Sequence, residues 1–97
     1  MSNNQEFKKL SELLNEYLKK EKIDQKVLKA RVISEWHNIV GPHIFKNTYN
    51  LRFDNDTFIM SVRSDVLRQE LLFMKNKLIQ NIHEYVKTEF IKDIIFY

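Results

Sequence analysis

The stretch TYNLRFDNDTFIMSV, residues 48–62, decides the fold. Its hydrophobic period is two. Tyr49, Leu51 and Phe53 alternate with Asn50, Arg52 and Asp54, then Phe58, Met60 and Val62 alternate with Ile59, Ser61 and the following Arg63. Successive side chains of a strand point to opposite faces, so each run reads as a half-buried strand. Between the runs, Asn55 and Asp56 tolerate positive φ and suit a two-residue hairpin turn. With that turn, Phe53 faces Phe58, Leu51 faces Met60 and Tyr49 faces Val62. The six apolar side chains then share one face, whereas a slip by one residue would put a whole set in water. The opposite face carries Thr48, Asn50, Arg52, Ile59, Ser61 and Arg63.

Upstream, the only glycine and the only proline are adjacent, Gly41-Pro42. The pair predicts a helix stop, with Gly41 in the αL conformation and Pro42 unable to continue the helix. The helix it ends carries Leu28, Val32, Trp36, Ile39 and Val40 on one face and takes Asp24 as its cap. Earlier still, Phe7, Leu10, Leu14 and Tyr17 recur at helical steps, with Leu13 and Leu18 widening the stripe. They predict an amphipathic helix from Asn4 to about Lys20, after a loose start at Ser2 to Gln5. His43 to Lys46 leaves room for one short turn of helix.

Downstream, Ser64 suits an N-cap and Asp65 the first turn of a third helix. Leu67, Leu71, Met74, Leu78, Ile82 and Tyr85 form its stripe, which runs towards Lys87. The chain closes on a short strand, Lys92 to Tyr97, and Ile95 and Tyr97 join the outer hairpin face if that strand pairs alongside. The predicted order is α-α-β-β-α-β. A helix between hairpin and last strand is a natural crossover onto one sheet. The expected fold is α+β, a three-stranded sheet with helices packed mainly on one face.

A length of 97 residues fits a single domain, 1–97, that buries roughly two-thirds of its unfolded surface in one core. Hydrophobic residues make up 43% of the chain, as in globular proteins, so an ordered body is expected. There is no cysteine, which excludes disulfides and thiolate metal sites. Nothing approaches the roughly 20 apolar residues of a membrane span, nor a secretory h-region, so a soluble cytoplasmic protein is expected.

One glycine is too few for a Walker A loop or a dinucleotide fingerprint. His37, His43 and His83 have neither helix-spaced partners nor cysteines, and read as surface or half-buried side chains. Ser11, Ser34 and Ser64 lack a nucleophile-elbow setting. Asp54 and Asp56 belong to a turn. The expectation is a binding protein without catalysis, cofactor, metal or membrane association.

Charge points to a partner. Residues 1–31 hold eight basic and five acidic side chains, while the rest balance to zero, so the net +3 is a local excess. It lies in Lys19, Lys20, Lys22, Lys26, Lys29 and Arg31, a patch that attracts phosphate backbones. Lysines at a helix end also simply complement its dipole and keep it solvated. The outer hairpin face is the competing site. Arg52 and Arg63, with hydroxyls, an amide and Tyr97, suit phosphate contacts and base stacking, or belong to an ordinary solvated sheet face or one covered by the first helix.

Trp36-His37-Asn38-Ile39-Val40-Gly41, then Ile44 and Lys46-Asn47-Thr48, form a recognisable pattern. It continues through Leu51, Phe58-Ile59-Met60-Ser61-Val62, Ser64, Glu70-Leu71, Lys77-Leu78 and the closing Ile94-Ile95-Phe96-Tyr97. Over residues 8 to 97 this resembles the bacterial DciA-like family. The resemblance implies a KH-like domain and a role in DNA replication, in which the protein contacts the replicative helicase and helps place it on single-stranded DNA. A KH domain grips nucleic acid through a Gly-x-x-Gly loop. This chain has none, so any nucleic acid must be held on another surface.

Trp36, Val40 and Gly41 carry the resemblance most visibly, yet their placement argues for a structural role. Trp36 shares a stripe with Leu28, Val32 and Ile39, and Gly41 sits where the chain leaves a helix. Three functions stay in view: a replication adaptor for the helicase and single-stranded DNA, a stand-alone KH-like RNA or DNA binder, and a protein-interaction module presenting its last strand as an edge.

Overall fold

A computed structural model describes residues 25–97. The helix expected over residues 4–20, its loose start and the Asp24 cap lie outside the described residues.

The hairpin forms where the period-two pattern predicts it. Strand β1, Thr48–Asp54, runs antiparallel to β2, Thr57–Val62, and Phe53 pairs with Phe58 across an Asn55-Asp56 turn. Asn55 alone of the two takes positive φ, at 53°. Strand β3, Asp93–Phe96, lies parallel to β2 on its other side, so β2 is central. The fold is α+β with a three-stranded mixed sheet, and β3 arrives by a helical crossover as expected.

The register departs from expectation beyond Arg52. Arg52 pairs with Ile59, but Tyr49 pairs with Ser61 and Thr48 with Val62. Asn50 and Leu51 therefore both stand opposite Met60, a β-bulge, with Asn50 at φ 53° supplying the left-handed residue. The bulge reverses the alternation. Thr48, expected outside, is buried at 8% exposure, and Tyr49, expected inside, is exposed.

The helices divide more finely than the stripes suggest. The segment before Gly41 is two helices, α1 (Gln25–Ser34) and α2 (Trp36–Val40), broken at Glu35 (φ −100°, ψ 11°). Helix α3, Pro42–Asn47, extends the expected short turn. The crossover is α4 (Asp65–Phe73) and α5 (Lys75–Val86), broken at Met74 (φ −95°, ψ 8°). In both breaks the backbone keeps its i→i−4 bond, Glu35 N–H to Arg31 C=O at 2.9 Å and Met74 N–H to Glu70 C=O at 3.0 Å. Each break is thus a bend in a nearly continuous helix. The second one turns Met74 outward, to 47% exposure, so Met74 leaves the predicted stripe and Val86 is buried further along.

Local chemistry explains the ends. Ser64 Oγ accepts the Leu67 N–H at 3.2 Å, the expected N-cap. Gly41 takes φ 84° and ψ 173°, which is not the αL conformation but a mirror-extended one open essentially to glycine alone. A Cβ there would meet nothing within 4 Å, so any penalty is backbone strain and not a clash. Gly41→Ala is expected to cost about 1–3 kcal/mol in urea unfolding. An unchanged midpoint would show that the turn relaxes freely.

The core lies between the inward sheet face and the helices. Val32, Trp36, Phe58, Met60 and Ile82 are fully buried, and Leu71 and Ile94 nearly so. Trp36 packs edge-on against Phe58 (5.2 Å, 84°), and Phe58 stacks flat on its cross-strand neighbour Phe53 (4.4 Å, 5°). The Trp36 indole N–H donates to Thr48 Oγ at 2.9 Å, and that hydroxyl donates to the Ile44 carbonyl at 2.9 Å. One threonine therefore ties α2, α3 and β1 together. It also satisfies the buried indole, which explains why the bulge must turn Thr48 inward.

A second tie closes the crossover. His83 Nε2 accepts the N–H groups of Phe90 (3.2 Å) and Ile91 (3.0 Å), whose side chains are buried. The accepting nitrogen carries no proton. Burial holds the His83 pKa below its ordinary 6.5, with Glu89 pulling weakly the other way. A histidine depressed in the folded state stays neutral there while the unfolded chain takes up a proton. Its stabilising contribution is complete above pH about 6.5 and is lost as pH falls below it. The melting temperature is expected to drop between pH 7 and 5 more steeply in the natural sequence than in His83→Gln. Parallel curves would remove His83 from the account.

Candidate nucleic-acid interface

The outward sheet face is built by strand alternation and redirected by the bulge. Tyr49 stands opposite Ser61. On the other side of Ser61, Tyr97 N–H bonds Met60 C=O (2.9 Å) and Val62 N–H bonds Tyr97 C=O (3.3 Å), so Tyr97 is level with Ser61. Tyr49, Ser61 and Tyr97 thus form one row across the three chains. The next row is Arg52, Ile59 and Ile95. Arg63 follows β2, held by its N–H to the Asn47 carbonyl at 2.8 Å.

Each arginine lies over a tyrosine. The Arg63 guanidinium is 4.5 Å from the Tyr49 ring centre, and that of Arg52 is 5.9 Å from Tyr97. Both arginines are exposed, and neither is ion-paired with a described carboxylate. Arg52 also donates to the Asn50 carbonyl at 3.0 Å, next to the bulge. Two unpaired guanidinium groups beside two exposed rings make a surface that attracts phosphate and stacks bases.

The hairpin end has the opposite sign. Asp54 and Asp56 lie at the turn, and Asp93 pairs with Thr57 beside it. Lys75 (2.9 Å) and then the Ile94 N–H hold the Asp93 carboxyl below its ordinary range, and Lys92 approaches Asp56 at 3.5 Å.

The described members of the basic cluster do not join this face. Lys19, Lys20 and Lys22 lie outside the described residues. Lys26 is exposed on α1; Lys29 reaches over the Phe53 ring (5.8 Å) and Arg31 over Tyr85 (5.6 Å). At about 100° per residue, Lys29 and Arg31 point to nearly opposite sides of the helix. They belong to the helical layer, whereas Arg52 and Arg63 look out from the sheet. Nearby, the Glu35 carboxylate accepts from Asn38 (2.6 Å) and the Tyr85 hydroxyl (3.1 Å), and these two bonds lower its pKa.

Of the remaining expected residues, Trp36 is buried, Val40 is half-buried and Gly41 makes the positive-φ turn. Alternation misassigned both Thr48, which is buried, and Tyr49, which is exposed. The one warning in the sequence is Asn50, a residue tolerant of positive φ inside a strand pattern. His37 and His43 are exposed. Among the described residues no group of three or more His, Cys, Asp or Glu side chains could hold a metal ion, and no helix is long and apolar enough to cross a membrane.

The family profile described as Dna(CI) antecedent, DciA, matches residues 9–96. The chain belongs to the DciA family. The DciA family is associated with loading of the bacterial replicative helicase and is not a known enzyme family. No curated protein and no solved structure matches this DciA chain.

Proposed function

We propose that this DciA-family chain is a cytoplasmic, non-enzymatic replication adaptor, a single KH-like domain that binds single-stranded DNA and the replicative helicase and helps load or stimulate that enzyme. Family membership supports the helicase partner. The observation that carries the DNA contact is the outward sheet face, where Arg52 and Arg63 lie beside Tyr97 and Tyr49 with no ion pair to a carboxylate among the described residues. A guanidinium free of carboxylates keeps its charge available for phosphate, and counterion release then drives binding. Of the basic residues from Lys19 to Arg31, the described ones, Lys26, Lys29 and Arg31, add cationic side chains on α1.

Retention of this protein on the immobilised replicative helicase of its own organism, with and without single-stranded DNA, tests the adaptor reading. Stoichiometric capture is expected. No capture under either condition would leave a stand-alone DNA or RNA binder, which paired titrations with (dT) and (rU) oligomers identify. The alternative of strand addition at β3 has less support. That strand is four residues long, and its Ile94 N–H is already taken by the Asp93 carboxylate at 2.9 Å.

A further inference from the structure

We propose that the row Tyr49–Ser61–Tyr97 is a stacking platform for two consecutive bases, and that the single strand crosses the sheet perpendicular to β2 with its phosphates at Arg63 and Arg52. This inference rests on the DNA-binding reading above and names how that face holds its ligand.

Three observations carry it. The first is level: the Tyr49–Ser61 pair and the Tyr97 bonds to Met60 and Val62 place both rings at one height on the sheet. Neighbouring strands are about 4.8 Å apart, so the two tyrosine backbones stand roughly 10 Å apart across β2. That is wider than the ~3.4 Å rise of a stacked strand, so two neighbouring bases on this row stack on protein rings and not on each other. The residue between them, Ser61, is small, and the Arg52 side chain reaches over β2 from β1 to Tyr97.

The second is orientation. Tyr49 is 40% exposed and Tyr97 59%, yet each ring has a guanidinium over it, at 4.5 Å and 5.9 Å. A cation on one face orients a ring and leaves the other face for a base. The two arginines lie on either side of the row along β2: Arg63 follows β2 beyond Ser61, and Arg52 stands on β1 one row towards the hairpin, its side chain reaching across to Tyr97. Ile59 and Ile95 form an apolar floor beside Arg52.

The third is charge. A strand running along β2 would have to pass Asp54 at the hairpin end, which no described cation pairs and which repels phosphate, whereas Asp93 is neutralised by Lys75. Crossing the sheet at the tyrosine row avoids it. A duplex hides the faces of its bases, so the platform selects single strands; every base has a π-face, so it tolerates sequence.

The test uses the whole chain and a fluorescent (dT) oligomer, read by anisotropy at fixed salt. Tyr49→Ala and Tyr97→Ala should each weaken binding roughly tenfold, and Tyr→Phe at either position should keep it. An oligomer with abasic sites should bind the natural sequence as weakly as it binds the double alanine variant. Circular dichroism confirms folding of each variant. Natural affinity in Tyr49→Ala/Tyr97→Ala, with binding lost in Arg52→Ala/Arg63→Ala, would overturn the platform and leave a phosphate-only interface. Natural affinity in both double variants would discard the platform and the sheet-face site together.

Discussion

Trp36→Ala is expected to lower the free energy of unfolding by about 3–5 kcal/mol. Trp36 is fully buried, meets Phe58 edge-on at 5.2 Å and donates its only polar hydrogen to Thr48 at 2.9 Å. Its removal opens a large cavity and deletes the bond that ties α2 to β1. Domains of this size hold only about 5–15 kcal/mol in total, so a large share of stability goes with one side chain. Urea titration followed by far-ultraviolet circular dichroism measures the loss without relying on tryptophan emission. The two halves of the effect separate with Thr48→Val, which keeps the shape and orphans the indole N–H at a cost of about 1–3 kcal/mol. Trp36→Phe combined with Thr48→Val should cost less than the two single changes added, because each removes a partner the other needs. Strict additivity would mean that the hydrogen bond contributes nothing.

Arg52→Ala/Arg63→Ala is expected to weaken single-stranded DNA binding by roughly tenfold or more, and to reduce the dependence of log K on log salt by about 1.4, or ~0.7 for each phosphate no longer neutralised. Stability should change far less than in Trp36→Ala. Both arginines are exposed, and each contributes one cation–π contact worth about 0.5–1 kcal/mol at such a site. Isothermal titration at several salt concentrations supplies both numbers. A DNA affinity and salt slope equal to the natural protein's would remove the sheet face from consideration. If Lys26→Ala/Lys29→Ala/Arg31→Ala then abolished the slope, the site would belong to the helical layer.

Much of this was legible in the residues. Period-two alternation located β1 and β2, and the Asn55-Asp56 turn set the Phe53–Phe58 pair as found. Ser64 announced its cap, and Gly41-Pro42 announced the end of a helix. These readings succeed because they depend on neighbours in sequence, where a cap, a turn or an alternating face is decided within a few residues. Both helix breaks escaped the stripes, since the hydrophobic pattern runs on across Glu35 and Met74 while the backbone bends beneath it.

The amino-acid order by itself determined the α+β class, the hairpin, the helical crossover to a third strand and the resemblance to the DciA family. Only the tertiary structure decided which way Thr48 and Tyr49 point. A buried indole N–H needs an acceptor, and the Thr48 hydroxyl, twelve positions away, supplies it only if the strand bulges at Asn50. That long-range bond pulls Thr48 inward and sends Tyr49 out beside Arg63. The same requirement that completes the core therefore places a second aromatic ring on the outward face, and within residues 48–62 only Asn50, tolerant of positive φ, hints at it.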